Sequence, residues 1–279
     1  MFKILDKEFL SENVARLIIE APYIAKSRKA GHFIILRIDK NGERIPLTIA
    51  DADVEKGTIS VIAQRVGVSS HKLCEMNVGD TLLDVVGPLG KATHIANKGT
   101  VLCAGGGVGV APLFPIVQAM KEAGNRVITV IAARNKDLII LEDEMRKYSD
   151  ELIIMTDDGS KGSKGLVTQG MEEVILREKI NEAVIIGPAI MMKFAALTTK
   201  KYDIPSVASL NTIMVDGTGM CGACRVSVGG KTEFVCVNGP EFDAHKVNYD
   251  EMLSRLNAYK SQEAEGYTEY LKTVEPTLN

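Results

Sequence analysis

The sequence predicts a small antiparallel β-barrel domain, then an α/β domain with a parallel sheet, then a short cysteine-bearing subdomain. Three observations carry this prediction. Short β-branched runs and turn residues alternate up to about residue 95, strand and helix patterns alternate after Gly99, and both patterns fade into glycine and cysteine from Asn211. Closely spaced short strands indicate a barrel or sandwich, and alternating strands and helices indicate a parallel sheet. We therefore expect domains at 1–96 and 97–210, a subdomain at 211–247 and a tail at 248–279.

Composition and charge exclude several classes of protein. A chain of 279 residues, with 46% hydrophobic and 25% charged residues, suits a globular protein of two domains and neither a disordered nor a fibrous one. Its 33 basic and 36 acidic side chains create no large positive field for a nucleic-acid backbone. No run approaches the roughly 18 apolar residues of a membrane span, and the first residues are charged rather than signal-like. We therefore expect a cytoplasmic protein with neither nucleic acid nor membrane as a partner.

The first domain contains two polar segments among its apolar runs. The expected strands are Val14–Glu20, Phe33–Ile38, Arg44–Ile49, Thr58–Gln64 and Thr81–Val86. Arg44 begins one polar segment, which ends at Thr48, and the other segment spans Val66 to His71. A guanidinium can hold a phosphate bidentately, and small hydroxylic residues with glycine at a helix start can hold the rest of a diphosphate. The alternative for Arg44 is an ordinary surface ion pair.

The second domain places three loops after strands. Its expected elements are strand Thr100–Ala104, a helix beginning near Pro112, strand Arg126–Ala133, helix Leu141–Tyr148, strand Glu151–Met155, helix Thr168–Lys179, strand Ala183–Ile186 and helix Met191–Lys200. The glycine-rich loop Gly105–Gly109 suits either the approach of a pyrophosphate or tight packing of a helix on a strand. Thr156–Ser160 and Gly187-Pro188 follow later strands. Because ligands of open parallel sheets bind at this edge, the three loops predict a nucleotide site.

The subdomain has the spacing of an iron–sulfur loop. Asp216, Cys221, Cys224 and Cys236 stand in the order Asp-x4-Cys-x2-Cys-x11-Cys, which is the plant-type two-iron spacing with a carboxylate in the first position. The glycines among them suit a tight turn with backbone N–H groups directed at sulfur. Three alternatives stay open: a structural zinc with Asp216 or His245 as fourth ligand, a catalytic dithiol, and a turn that Asp216 merely caps.

The other two cysteines have a simpler expected role. Cys74 lies in an expected helix, and Cys103 lies inside an apolar strand. Free cysteine is often buried. Both are therefore expected in the core rather than at a metal.

Taken together, these segments resemble the ferredoxin-NADP reductase superfamily, over nearly the whole chain up to about Val247. The closest resemblance is to the subgroup with a carboxy-terminal [2Fe-2S] loop. It implies an FAD-binding barrel, an NAD(P)-binding α/β domain and a [2Fe-2S] subdomain. The implied flavin residues are Arg44, Leu47, Thr48, Ile62, Ala63, Gln64, Val66, Gly67, Val68, Ser69 and Ser70. The expected pyridine-nucleotide residues are Gly105, Gly106, Gly107, Val108, Gly109, Val110, Ala111, Pro112, Arg134, Asp157, Asp158, Gly187, Pro188, Met191 and Met192. The implied cluster ligands are Asp216, Cys221, Cys224 and Cys236.

The resemblance also implies a function. Hydride from NAD(H), with NADP(H) as the alternative, passes to FAD, and single electrons leave through the cluster, so no proton-transferring catalytic residue is expected. The run from Ser209 to Cys224 is similar to the small subunits of NADH-dependent ferredoxin:NADP oxidoreductases, which bifurcate electrons. Their partner is a larger subunit with a flavin and [4Fe-4S] clusters, so the chain would form a heterodimer and reach ferredoxin indirectly. We expect the amphipathic tail to contact that partner. The alternatives are the electron-transfer subunit of dihydroorotate dehydrogenase B and a zinc-stabilised nucleotide-binding module.

Overall fold

The computed structural model describes residues 2–274, and its first seven-stranded sheet is antiparallel throughout. The strands are β1 (Phe2–Ser11), β2 (Val14–Glu20), β3 (Phe33–Arg37), β4 (Ile45–Asp53), β5 (Thr58–Gln64), β6 (Thr81–Leu82) and β7 (Asp84–Leu89), with helices α1 (Pro22–Ser27) and α2 (Val68–Glu75). The order is β6-β1-β2-β5-β4-β3-β7. Only Leu83 separates the two edge strands, so the sheet curls into a nearly closed barrel. The predicted barrel is therefore confirmed.

Alternating apolar residues form the barrel core. Leu17 and Ile19 on β2 and Val61 on β5 are fully buried and pack on one face. This is the two-residue period of a strand with one face turned inward. In β1, by contrast, Ile4 is the one fully buried residue, and four of the ten residues are charged. The sequence of β1 therefore shows no clear alternation of apolar and polar residues, and this strand was not predicted.

The second sheet also has seven strands, in the order β11-β10-β9-β8-β12-β13-β16. Its strands are β8 (Thr100–Gly106), β9 (Arg126–Ala133), β10 (Glu151–Thr156), β11 (Ser163–Lys164), β12 (Glu182–Ile186), β13 (Ser206–Ser209) and β16 (Glu241–Asp243). Its helices are α3 (Val110–Glu122), α4 (Glu142–Tyr148), α5 (Val167–Arg177) and α6 (Ala189–Lys201). All pairs are parallel except β13 with β16. The predicted α/β architecture is confirmed, with element ends shifted by a few residues.

The cysteine-bearing segment is built onto this second sheet. It contains the hairpin β14 (Arg225–Val228) and β15 (Lys231–Phe234) and helix α7 (Val235–Asn238) before β16 joins the sheet edge. Cys224, Val226, Val235 and Cys236 are buried in the same cluster as the residues of the parallel sheet. The segment therefore has no separate core, and its apolar residues share the core of the parallel sheet.

The tail forms two helices, α8 (Tyr249–Leu256) and α9 (Lys260–Val274). The Asn248 side chain accepts a hydrogen bond from the Glu251 N–H at 3.1 Å and caps α8, whose Met252 is buried. Residues 275–279 of the predicted tail lie outside the described residues, and its role as a partner contact stays a prediction. Within residues 2–274, no helix combines the length and apolar character needed to cross a membrane.

A buried carboxyl group joins the barrel, the interdomain linker and the edge of the second sheet. Glu241 on β16 accepts a hydrogen bond from the Thr93 hydroxyl at 2.5 Å, and the Thr93 N–H donates to the Ala30 carbonyl at 2.9 Å. Two residues before Glu241, the Gly239 carbonyl accepts a bond from the Lys91 N–H at 2.7 Å. Burial raises the pKa of Glu241 to about 7, although the bond from Thr93 opposes the shift.

Candidate functional site

A large cleft lies between the barrel and the carboxyl edge of the parallel sheet. Its volume is about 1140 Å³, and its walls come from β4 and β5, the loops after β8, β9, β10 and β12, and helix α6. Pockets for one small molecule usually measure about 300–1,000 Å³. The cleft is therefore large enough for more than one ligand, at the sheet edge where the sequence predicts a nucleotide.

Many of the sequence-predicted residues line this cleft. On the barrel side, Ile62 and Gln64 face it, while the intervening Ala63 is buried in the barrel core, as strand alternation requires. The predicted residues along the wall are Leu47, Thr48, Ile62, Gln64, Gly106, Gly107, Val108, Gly109, Ala111, Pro112, Arg134, Asp157, Gly187, Pro188 and Met191. Gly105, Val110 and Met192 are buried behind the wall, and Asp158 lies in the exposed turn after β10.

The glycine-rich loop has a geometry that suits both roles that the sequence left open. Gly107 has a φ of +55°, and a Cβ built there would meet no atom within 4 Å, so its backbone faces open space beside the start of α3. A Cβ at Gly109 would lie 2.7 Å from the Gly187 Cα, so this glycine lets α3 pack against the loop after β12. One glycine therefore leaves room for the close approach of a pyrophosphate, whose binding there stays a prediction, and the other allows close packing.

The remaining flavin-segment residues do not line the cleft. The Arg44 guanidinium pairs with the Asp84 carboxylate at 3.5 Å, which is the surface ion pair considered as the alternative. Gly67 precedes the first turn of α2, and its N–H donates to the Ser70 hydroxyl at 3.1 Å. The Ser69 hydroxyl donates to Glu43 at 2.8 Å beside a smaller cavity of about 200 Å³.

Two neighbours of this segment complete its surroundings. Val68 borders the smaller cavity, and Val66 is exposed before the helix. The predicted helix start is thus present. Its contact with a diphosphate stays a prediction.

The cysteine loop has the backbone that its glycines predict. Gly217, Gly219 and Gly222 have φ values of +77°, +83° and +67°, a region that favours glycine. The Ala223 N–H donates to the Cys221 Sγ at 3.5 Å, and the Cys236 N–H donates to the Cys224 Sγ at 3.5 Å. The loop therefore directs backbone donors at sulfur, as a cluster-binding loop requires.

The four predicted ligands form two pairs. The Cys224 and Cys236 Sγ atoms are 3.2 Å apart, and the Asp216 carboxylate accepts the N–H groups of Thr218 at 2.9 Å and Cys221 at 3.0 Å. These bonds hold the pKa of Asp216 below its usual range, so it is an anion at neutral pH. Among the described residues, no three His, Cys, Asp or Glu side chains converge on a point that could hold a single metal ion.

This arrangement fits two irons better than one zinc. A [2Fe-2S] cluster spreads four protein ligands over two metal atoms, whereas a structural zinc needs its ligands around one. His245, the nitrogen donor in the zinc alternative, lies 3.0 Å from the Thr199 hydroxyl on α6 instead. Burial raises the pKa of Cys236, so metal binding there must displace a proton.

The cysteines outside this loop are core residues, as expected. Cys74 and Cys103 are both fully buried. Burial raises the pKa of the Cys74 thiol and raises that of Cys103 to about 12, so both stay protonated. Neither belongs to the candidate site.

A short stretch of chain connects the cleft to the cysteine loop. Asn211 lines the cleft, and the hydroxyl of the next residue, Thr212, lies 3.5 Å from the Cys224 carbonyl oxygen. A Cβ at Gly217 would lie 2.6 Å from the Ile35 Cδ1, so the loop packs directly on the barrel. Asn211 is not among the residues predicted from the sequence, although its position just after strand β13 is the signal that could have identified it.

Two family models match the chain. Residues 104–196 match the oxidoreductase NAD-binding domain, and residues 211–248 match the iron–sulfur cluster binding domain of dihydroorotate dehydrogenase B. Together with the barrel and the cleft, these matches define an oxidoreductase of the ferredoxin-NADP reductase superfamily.

The relatives narrow this class. The chain is 47% identical to a Thermotoga maritima protein named as a homologue of the dihydroorotate dehydrogenase B electron transfer subunit, over 98% of this chain and 96% of the relative. It is 30% identical to that electron transfer subunit of Streptococcus pneumoniae, over 86% of this chain and 94% of the relative. The chain therefore belongs to the family of dihydroorotate dehydrogenase B electron transfer subunits and their homologues.

A solved structure covers almost the whole chain. A chain in the structure of NADH-dependent reduced ferredoxin-NADP oxidoreductase, described for its insight into flavin-based electron bifurcation, superposes with a TM-score of 0.92 and is 46% identical. The match covers 98% of both chains. The protein is thus an oxidoreductase subunit with NAD(H), FAD and an iron–sulfur cluster as cofactors, as the sequence predicts.

Proposed function

We propose that this chain is the small subunit of an NADH-dependent ferredoxin:NADP oxidoreductase that bifurcates electrons. In this proposal it forms a heterodimer with a larger subunit that carries a flavin and [4Fe-4S] clusters, and electrons reach ferredoxin through that partner. The observation that supports this assignment is Asp216, a carboxylate in the first ligand position of the loop. The small subunits that the chain resembles have an aspartate in this position, whereas the electron-transfer subunit of dihydroorotate dehydrogenase B has a cysteine there. The nearly full-length similarity to the oxidoreductase chain supports the same reading.

The chain's own residues align and separate the electron carriers. The backbone at Gly107 and the start of α3 would hold the nucleotide pyrophosphate, and Thr48 and Gln64 would face the flavin from the barrel wall. Bound FAD supplies the conversion of a hydride into single electrons. No side chain needs to transfer a proton, because the work of the protein is to orient the rings and control potentials.

The exposed edge of the cysteine loop is the proposed contact with the partner. Cys221 is exposed, and Met220, Val215 and Val237 beside it are 86%, 50% and 37% exposed. Apolar side chains around an exposed redox ligand suit a contact that excludes water and keeps the transfer distance short. The expectation is that the partner covers Met220 and brings its own redox centre close to Cys221.

Anaerobic purification with the copurifying chain tests the proposal. The complex should be yellow-brown, contain flavin and acid-labile sulfide, and reduce ferredoxin only when both NAD(H) and NADP(H) take part in the reaction. A complex that instead oxidises dihydroorotate would contradict the assignment. A colourless chain with zinc and no flavin would contradict the redox function altogether.

A further inference from the structure

The C-terminal helices contact both the cysteine loop and the helix of the flavin segment, the two segments expected to hold electron carriers. Residues 249–274, which we call the C-terminal strap, comprise α8 and α9. On α8, the Arg255 guanidinium donates to the Ala223 carbonyl at 3.0 Å, and Ala223 lies between two of the predicted cluster ligands. On α9, the Tyr267 hydroxyl lies 3.0 Å from the His71 Nδ1 of α2, the helix of the flavin segment.

The contact between α9 and α2 combines a hydrogen bond with aromatic and cation–π packing. His71 is 5% exposed, and two strap rings pack edge-on against it, with centroids 5.9 Å away for Tyr267 and 5.4 Å away for Tyr270. The Lys72 ammonium lies 5.5 Å from the Tyr270 centroid. No residue of α9 is buried, so its attachment to the described chain is concentrated at these rings.

The other face of α2 packs into the barrel. Leu73 and Cys74 on that face are fully buried in the barrel core. The helix is therefore held from both sides, and its first turn carries Ser69 and Ser70 of the flavin segment. Loosening the outer contact would loosen that turn.

The contact at the cysteine loop is equally well anchored. The carboxylate of Asp250 at the start of α8 accepts a bond from the Lys193 ammonium of α6 at 2.6 Å, and Met252 is buried beneath the helix. Arg255 is therefore presented from a fixed helix. Its guanidinium is a permanent positive charge, bonded to a peptide carbonyl between Cys221 and Cys224.

We propose that the strap is a positioning element that holds the cluster loop and the flavin helix in register, with Arg255 and Tyr267 as its positioning residues. This rests on the proposed flavin and cluster sites for its functional meaning. Arg255 fixes the loop and makes its surroundings more positive, which favours the reduced cluster. Tyr267 fixes α2 through His71 and slows the release of FAD.

The variants Arg255→Gln and Tyr267→Phe separate the two contacts in the full chain with its cofactors. Arg177→Gln is the matched arginine control, because that side chain is 47% exposed and pairs with Glu151 at the start of β10, the end of the strand opposite the cleft. Tyr259→Phe is the tyrosine control, since Tyr259 is 59% exposed within the strap itself. Thermal unfolding confirms that each variant is folded.

We expect Arg255→Gln to increase hydrogen–deuterium exchange about fivefold at residues 217–224, to shift the cluster potential negatively and to alter its EPR spectrum. We expect Tyr267→Phe to increase exchange at residues 67–75 and the rate of FAD release, each about fivefold. The controls should match the parent. Exchange equal to the controls in either segment overturns the proposal. If the parent holds neither flavin nor labile sulfide, the proposed function fails, and the exchange data still decide whether the strap positions both segments.

Discussion

Glu241→Gln should remove a pH dependence of stability that the buried carboxyl group creates. The pKa of Glu241 is raised from 4.5 to about 7, a difference that corresponds to about 3 kcal/mol at about 1.4 kcal/mol per pH unit. Below pH 4.5 the group is protonated in both the folded and the unfolded chain, so it imposes no penalty. As the pH rises towards 7, the unfolded chain releases the proton first, and the free energy of unfolding falls. Above pH 7 the loss is complete.

The assay is urea unfolding of the parent and the variant at half-unit steps from pH 5 to pH 8. Because Gln keeps an acceptor for the Thr93 hydroxyl without a charge, the variant should gain stability relative to the parent as the pH rises. The difference between the two free energies of unfolding should change by about 2 to 3 kcal/mol between pH 5 and pH 7. This is less than the full effect because part of the titration of the unfolded chain lies below pH 5. Glu173→Gln, at an exposed carboxylate on α5, should follow the parent at every pH. Parallel curves for the parent and Glu241→Gln would refute the reasoning.

Three further substitutions test the sites. Gly109→Ala should destabilise the chain by about 1–3 kcal/mol and weaken NADH binding, because its Cβ would lie 2.7 Å from the Gly187 Cα. Urea unfolding measures the stability and titration measures NADH binding. An unchanged free energy of unfolding and an unchanged NADH affinity would contradict the packing role. Gly217→Ala should lower the labile sulfide per chain, since φ is +77° and a barrel side chain lies 2.6 Å from the new Cβ. Gly266→Ala, with no atom within 4 Å, is its control and should keep full sulfide. Asp157→Asn should raise kcat/KM for NADPH relative to NADH about tenfold, because it removes from the cleft a negative charge that repels the 2'-phosphate. An unchanged ratio of the two kcat/KM values would mean that the nucleotide ribose does not lie near Asp157.

The sequence predicted the architecture because the two sheets have opposite hydrophobic patterns. Strand β2 alternates along much of its length, whereas β8 and β9 are nearly continuous apolar runs buried on both faces, so the barrel and the parallel sheet could be separated. Strand β1, in which four of the ten residues are charged, shows neither pattern and was missed. Short strands such as β13 gave too few residues for a period to show.

The candidate site was only partly predictable, for a related reason. Glycine spacing and cysteine spacing are local, and both loops were found. The contacts of Asn211 with the cleft and of Tyr267 with His71 join positions far apart in the chain, and no local pattern encodes them. Arg44 also belongs to a local motif; its side chain pairs with Asp84 in the structure, and its role at a flavin diphosphate stays a prediction.

The shared interior of the cysteine segment and the parallel sheet has a consequence for protein engineering. The buried side chains of this segment pack against side chains of the sheet and of α8; they are Val226, Val235, Cys224 and Cys236. Residues 211–248 therefore cannot be transplanted as an independently folding unit. A graft into another reductase would expose an apolar underside unless the host supplied a matching surface. Chimeras between relatives should therefore exchange the nucleotide domain and the metal-binding segment together, with the crossover placed in the linker after the barrel.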